Sequence, residues 1–109
     1  MTGKEPSGAQ KLVGDVAPKL AELTDRVLFG DVWERPGLSP RDRSLVTIAA
    51  LTAGGNTEQL GFHVGLGLRN GLAQDEIVEA ITHLAFYSGW PRAMSAIAAA
   101  KQSFGGSRS

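Results

Sequence analysis

The amino-acid sequence predicts an all-α fold: a small helical-bundle subunit of about five to six helices. Apolar residues recur at spacings of three and four, as they do on one face of a helix. Proline, glycine and N-cap residues divide the chain into segments of helical length, and no segment shows the sustained alternation of a strand. Because the chain has 109 residues, we expect one helical domain over residues 9–104, with flexible ends at 1–8 and 105–109.

The first predicted helix lies in the N-terminal third of the chain. Its apolar stripe consists of Leu12, Val16, Leu20, Leu23 and Val27. Pro18 lies inside this stripe, so the helix should start near Pro18 or be kinked there. Gly30 is expected to end the helix, and the Pro36-Gly37 pair predicts a loop after it.

The second predicted helix has a clear start. Ser39 is a good N-cap, Pro40 suits the first helical position, and Asp42 favours the positive end of the helix dipole. From Pro40 to about Ala53 the helix is apolar around most of its circumference. Such a helix should be buried, either by its own domain or by a partner subunit.

The third predicted helix follows a break at Gly54-Gly55. Asn56 is its expected N-cap, Gln59 completes an arrangement like a capping box, and Asn70-Gly71 is its expected end. The glycines inside this helix are Gly61, Gly65 and Gly67. Each one costs roughly 1 kcal/mol relative to alanine, so we expect something to need the space that they leave.

Two more helices complete the prediction. The fourth runs from about Gln74 to Ser88, and the chain then turns at Gly89-Trp90. Pro91 opens the last helix, whose alanine-rich face over residues 96–100 permits close packing.

Composition excludes several classes of function. Eleven basic residues balance eleven acidic ones without long runs of one sign, so general binding to nucleic acid or an anionic membrane is not expected. The absence of cysteine excludes disulfides, thiolate metal sites and thiol nucleophiles. No apolar run is long enough to span a membrane, and no signal-type segment opens the sequence. We therefore expect a soluble, cytoplasmic protein.

His63 is the first candidate for chemistry. Gln59 lies four residues before it, and Asn56 and Asn70 lie seven residues to either side, so these polar groups share one helical stripe. Together with the glycines, this stripe resembles the wall of a small-molecule pocket, where a histidine could transfer a proton. The alternative is a core histidine bonded to a backbone carbonyl.

The other candidates have equally simple structural alternatives. His83 lies in a largely apolar helix and is either a site residue or a packed histidine, and no carboxylate pattern with either histidine predicts a metal site. Trp33 and Trp90 lie beside prolines at predicted helix ends, where aromatic rings line a cavity mouth or close a core.

Four arginines are candidates for binding a carboxylate through two hydrogen bonds. They are Arg35, Arg41, Arg43 and Arg92. For each of them the alternative is a solvated loop or helix start; for Arg41 and Arg43, Asp42 could then serve as a local ionic partner.

Four segments carry a family resemblance. These are VWERPGLSPRDRSLVTIAAL at residues 32–51, EQLGFHVGLGLRNG at 58–71, DEI at 75–77 and AFYSGWP at 85–91. Together they resemble the carboxymuconolactone decarboxylase family over residues 10–104. The resemblance implies an alkyl hydroperoxidase D-like helical subunit that forms homotrimers or homohexamers, with active sites near the subunit contacts.

This sequence departs from the redox branch of that superfamily. The branch uses a Cys-x-x-Cys pair, a histidine four residues after the second cysteine, and a glutamate proton relay. When that histidine is aligned with His63, the cysteine positions hold Asn56 and Gln59, and the glutamate falls at about Ser44. Thiol peroxidase and disulfide reductase activities are therefore excluded.

The resemblance instead implies a cofactor-independent lyase of aromatic catabolism that acts on a small carboxylated lactone or related acid. His63 would be the acid, Arg35, Arg41 or Arg43 would anchor a carboxylate, and Gln59 or Asn56 would donate to the developing oxyanion. A dry wall would come from Trp33, Phe62, Phe86 and Trp90. The large Trp90 stands where the decarboxylases usually have a smaller residue, so it would reshape the pocket. The alternative function is a non-catalytic binding or assembly protein on the same fold.

Overall fold

The computed structural model of the chain describes residues 7–106. It divides at the Leu38–Ser39 junction into two compact units, each of which is helical. Residues 1–6 and 107–109, which belong to the predicted flexible ends, lie outside the described residues. No strand occurs in residues 7–106, and the all-α prediction is confirmed.

The first unit contains two short α-helices. They are α1 (Gly8–Val13) and α2 (Pro18–Leu23). The Ser7 hydroxyl caps α1 by accepting from the Gln10 N–H at 3.0 Å, and it donates to Asp25 Oδ2 at 2.9 Å. Pro18 begins a new helix, as predicted, so the apolar stripe is divided between α1 and α2.

A π-helical segment, Thr24–Phe29, continues α2 and ends at Gly30. The sequence pattern did not predict this widened turn, although Gly30 was the expected stop. A short 3₁₀ turn follows over Val32–Glu34. The segment therefore remains helical almost to the Pro36-Gly37 loop.

The second unit contains four longer helices. They are α3 (Pro40–Gly54), α4 (Thr57–Arg69), α5 (Gln74–Ser88) and α6 (Trp90–Gly106). Both α4 and α5 pack against α3 and α6. Their shared core consists of Ile48, Leu60, Val64, Leu72, Ile77, Ile81, Ala85, Ala93, Ala96, Ala100 and Phe104. The four core residues of α6 include three alanines, which agrees with the close packing predicted for its alanine face.

The ends of α3 follow the predicted local chemistry. Ser39 Oγ accepts from the Asp42 N–H at 3.0 Å, and Gly55 takes a left-handed φ of 73° after the last turn. Of the two sources of burial predicted for α3, the chain itself buries only the stripe Ser44, Ile48 and Thr52. Val46, on another face, is 59% exposed.

The start of α4 corrects one prediction and its end confirms another. Asn56 occupies the N-cap position, but its side chain makes no capping hydrogen bond, so the predicted capping box with Gln59 is wrong. The φ and ψ of Asn56, −89° and 64°, are not those of an extended N-cap, and its Oδ1 fills the space beside Gly54. At the other end, Gly71 adopts a φ of 107° and the Leu72 N–H donates to the Gly67 carbonyl at 2.9 Å.

Gly67 is the α4 glycine whose missing side chain the packing requires. A Cβ on residue 67 would lie 2.9 Å from Leu72 Cδ1 and 3.2 Å from Ile48 Cδ1. At residue 65 the nearest atom to a Cβ would be Arg69 Nη1, at 3.7 Å. Thus one glycine permits close approach of α3, and the other does not serve packing within the chain.

We expect Gly67→Ala to lower the free energy of unfolding by about 1–2 kcal/mol, because overpacking outweighs the gain in helix propensity. Gly65→Ala is the matched control and should raise that free energy by up to about 1 kcal/mol. Urea unfolding followed by circular dichroism measures both. Equal effects of the two substitutions would contradict the assignment of the close contact to Gly67.

Within residues 7–106, no helix combines the length and the apolarity that crossing a bilayer requires.

Candidate active site

The α3–α4 interface provides the frame of the candidate site. The Asn70 amide donates to Ser44 Oγ at 3.0 Å and to the Pro40 carbonyl at 3.4 Å. One turn earlier on α4, Gly67 lies against Ser44 and Ile48. Later residues of α4 thus meet earlier residues of α3, so the two helices run antiparallel. Ser44 is fully buried.

His63 lies on the stripe of α4 that faces α3. It precedes Gly67 by four residues and Asn70 by seven, and both of these residues contact α3. The imidazole is partly buried, with its Nδ1 atom inside the protein, and its edge packs near the Phe62 ring. Burial lowers the pKa of His63 below its ordinary value of 6.5. Burial therefore favours the neutral form of the ring.

The structure separates the roles of two neighbouring arginines. Arg41 pairs with Glu76 of α5 and with Asp42, and these carboxylates raise its pKa, the Glu76 hydrogen bond contributing most. Residues two apart in a helix point about 160° apart around the axis, so Arg43 lies on the side of α3 away from α5. Arg43 is partly buried, and its Nε is inside the protein. The assignment of Arg43 to a substrate carboxylate stays a prediction.

Arg43 and His63 lie at different heights along this interface. The contacts of Asn70 and Gly67 place residue 43 of α3 opposite the end of α4, and residue 50 opposite His63. Seven residues of helix correspond to an axial offset of about 10 Å between the two backbone positions. An extended arginine side chain is long enough to cover much of that offset.

Gln59 and Asn56 continue the His63 stripe toward the start of α4. Both side chains are exposed, one and two turns before His63. Asn70, the fourth polar member of the predicted stripe, is instead engaged with α3. Of the three amides on the predicted stripe, those of Asn56 and Gln59 are exposed and accessible to a ligand, whereas that of Asn70 joins α4 to α3.

His83 and Trp90 lie elsewhere in the second unit. His83 is exposed on the face of α5 opposite its buried stripe, and its ring packs in a tilted arrangement against the Tyr87 ring, with centroids 4.9 Å apart. Because that face is turned away from α3 and α6, His83 does not join His63 within the chain. Trp90 is 58% exposed at the start of α6, where its ring packs edge to face on Phe86. Neither residue is packed in the core.

Two other predicted residues belong to the first unit. Trp33 stacks on Phe29, with ring centroids 5.8 Å apart, and Arg35 is exposed after the 3₁₀ turn. Their assignment to a substrate site stays a prediction. Among residues 7–106, no group of three or more histidine, aspartate or glutamate side chains is arranged to hold a metal ion.

Sequence reasoning missed the Ser44–Asn70 hydrogen bond. From the sequence alone, Ser44 stands out only as the position of the glutamate in the redox branch of the superfamily. Asn70 stands out only as a member of the polar stripe through His63 and as the end of its helix. The available signal was a serine among apolar residues of α3 and an asparagine at the end of α4. Neither feature identifies a partner 26 residues away.

Comparison with known proteins supplies the remaining evidence. A family profile described as the carboxymuconolactone decarboxylase family matches residues 18–102. Over 92 residues the chain is 42% identical to a 4-carboxymuconolactone decarboxylase of Acinetobacter baylyi, a match that covers 84% of this chain and 69% of that protein.

A second relative is named for a different substrate, nitrosuccinic acid. Over 76 residues the chain is 37% identical to nitrosuccinic acid decarboxylase npaB of Metarhizium robertsii. That match covers 70% of this chain and 53% of the relative, so the chain spans about half the length of this fungal protein. Both matches include the segment that carries His63, since each covers most of a 109-residue chain.

Proposed function

Since this chain belongs to the carboxymuconolactone decarboxylase family, we propose that it is a cofactor-independent carboxy-lyase acting on a small carboxylated lactone or related acid. The observation that carries the proposal is a partly buried histidine on α4, the helix that packs against α3, which bears a partly buried arginine. The two relatives, both named decarboxylases, support the same class of reaction.

The proposed reaction needs no electron sink from the protein. In a carboxymuconolactone the departing carboxylate is conjugated through a C=C bond to the lactone carbonyl. When the bond to this carboxylate breaks, CO₂ leaves and the electron pair passes to the carbonyl oxygen as an extended enolate. A proton then adds to carbon, so one proton is consumed for each CO₂ released.

We assign three roles to residues of this chain. Arg43 holds a carboxylate that the product retains, since a guanidinium matches a carboxylate with two hydrogen bonds. The amides of Gln59 and Asn56 are candidate donors to the developing oxyanion. His63 supplies the proton to carbon. In nitrosuccinic acid the acceptor of the electron pair would be a nitro group, and the same three roles would apply.

Because burial lowers the pKa of His63, the ring must be protonated before it can act as the acid. A neutral imidazole must first gain a proton, and an anionic ligand beside the ring favours the charged form and raises the pKa. Substrate binding should therefore be accompanied by proton uptake. The proton used in turnover is then replaced from solvent.

We expect kcat/KM to fall by about tenfold per pH unit above the pKa of His63 in the free protein, which lies below 6.5. The sign follows from the acid role, because the protonated ring is lost as the pH rises through that pKa. The kcat profile should fall only at higher pH, since the bound anion raises the pKa. Initial rates between pH 5 and 8.5 measure both profiles, and a kcat/KM that stays constant over this range would contradict the acid role of His63.

The substrate is tested with the acids that the two relatives are named for. Purified protein is mixed separately with 4-carboxymuconolactone, generated in situ, and with nitrosuccinic acid, and CO₂ release is recorded. We expect turnover of at least one of them. Binding without turnover of either acid would instead support the non-catalytic binding protein.

We further propose that the subunit forms a homotrimer or a homohexamer. The end of α5 and the start of α6 expose Phe86, Tyr87, Trp90 and Met94, each more than half exposed. Contiguous apolar surface of this kind favours association. A cytoplasmic location stays a prediction.

The oligomer is tested by sedimentation velocity at micromolar protein concentration. We expect a trimeric or hexameric mass for the unmodified chain and a smaller mass for Phe86→Glu, because a buried charge without a partner disfavours the contact. Gln102→Glu, at an exposed position of α6, is the control and should keep the original mass. A monomer in the unmodified protein would refute the proposal.

A further inference from the structure

We propose that Asn70 is a positioning residue for the substrate anchor: by bonding both Pro40 and Ser44, it fixes the turn of α3 that carries Arg43. The inference rests on the proposed function for the role of Arg43. It is carried by the contacts between the end of α4 and the start of α3.

The Asn70 side chain joins two points on one turn of α3. Its amide nitrogen carries two N–H donors, and its acceptors are Ser44 Oγ at 3.0 Å and the Pro40 carbonyl at 3.4 Å. Pro40 and Ser44 lie three residues before and one residue after Arg43. The amide therefore restrains the backbone on both sides of that arginine.

The surroundings make this restraint effective. Ser44 is fully buried, and the absence of a side chain at Gly67 lets α4 approach Ser44 and Ile48 closely. On the other side of α3, Arg41 is held by Glu76. The first turn of α3 is thus fixed to both α4 and α5, and Arg43 projects from a turn that cannot rotate independently of α4.

The same bond couples Arg43 to His63. His63 lies in α4, and Asn70 is the C-cap of the same helix, seven residues later. When Asn70 holds α3, it also fixes the distance from the Arg43 turn to the imidazole. A ligand that must reach both groups needs this distance to remain constant.

The test is a double-mutant cycle between Asn70→Ala and Arg43→Gln. The measured quantities are KM for 4-carboxymuconolactone and, by calorimetry, Kd for succinate, a dicarboxylate that does not react. Asn70→Ala should raise each constant by about tenfold, equivalent to about 1.4 kcal/mol. In the Arg43→Gln background it should change them less than about twofold, because the residue through which it acts is gone. Circular dichroism checks that each variant is folded.

Two further variants sharpen the cycle. Ser44→Ala removes one of the two acceptors and should show a smaller effect with the same dependence on Arg43. Gln102→Ala, on the exposed face of α6, should leave KM and Kd unchanged. A merely structural Asn70 would lower the melting temperature, and its effects on KM and Kd would add to those of Arg43→Gln.

The possible outcomes separate this proposal from the proposed function. Turnover with additive effects would overturn the positioning role and leave the decarboxylase intact. Succinate binding with the expected coupling but no turnover would support the positioning role and count against the decarboxylase. If the unmodified protein does not bind succinate and turns over neither the lactone nor nitrosuccinic acid, both proposals are wrong.

Discussion

Replacing His63 by alanine is expected to lower kcat by about 10²–10⁴-fold while the helical content and the oligomeric mass stay unchanged. This range is typical for loss of a general acid. The ring is partly buried on the α3-facing stripe of α4, and its removal deletes the group assigned to protonate the enolate carbon. Steady-state CO₂ release from the substrate measures the loss.

Two comparisons make that result specific. His63→Gln keeps a hydrogen-bonding side chain but cannot carry the proton, so it should be nearly as slow as His63→Ala. His83→Ala removes the exposed histidine on the outer face of α5 and should retain most of the activity. Full activity of His63→Ala would remove His63 from the mechanism.

Arg43→Gln is expected to raise KM by about 10–100-fold, because a hydrogen bond to a charged group contributes about 1.5–3 kcal/mol. Arg43 is partly buried, so solvent screens its attraction for a carboxylate less than at the surface. Arg43→Lys should recover part of the affinity but not the two-point geometry. The dependence of the initial rate on substrate concentration gives KM for each variant.

Arg41→Gln is the matched control for the anchor. Arg41 already pairs with Glu76 and Asp42, so its loss should affect those contacts and change KM little. A large rise of KM in Arg41→Gln, with a normal KM in Arg43→Gln, would reverse the assignment of the two arginines.

The helix boundaries were the most predictable part of the fold, because their signals are local. Ser39 caps α3, Pro18 begins α2, and the positive φ of Gly55 and Gly71 ends the two helices before them. The capping box at Asn56 failed because a short sequence pattern does not fix the backbone angles of the residue that bears it. The π-helical turn at Thr24–Phe29 left no trace in the apolar spacing.

The candidate site was predictable only in part. The stripe through His63 follows from helical spacing, and its orientation toward α3 became visible through Gly67 and Asn70. The choice between Arg41 and Arg43 depended on Glu76, whose carboxylate lies 35 residues further along the chain. The exposure of His83 likewise depends on which face of α5 packs on its neighbours. The Arg41–Glu76 pair and the packed face of α5 both depend on contacts between residues far apart in the sequence, which no local pattern specifies.

The central claim is that this chain releases CO₂ from a small carboxylated lactone with His63 as the acid. The most direct test measures CO₂ release and the ultraviolet change when the purified protein, freed of metal by a chelator, meets 4-carboxymuconolactone generated in situ, with His63→Ala in parallel. We expect rapid release by the unmodified protein and at least about 100-fold slower release by the variant. Equal rates for the two proteins, or no release above the rate without protein, would contradict it.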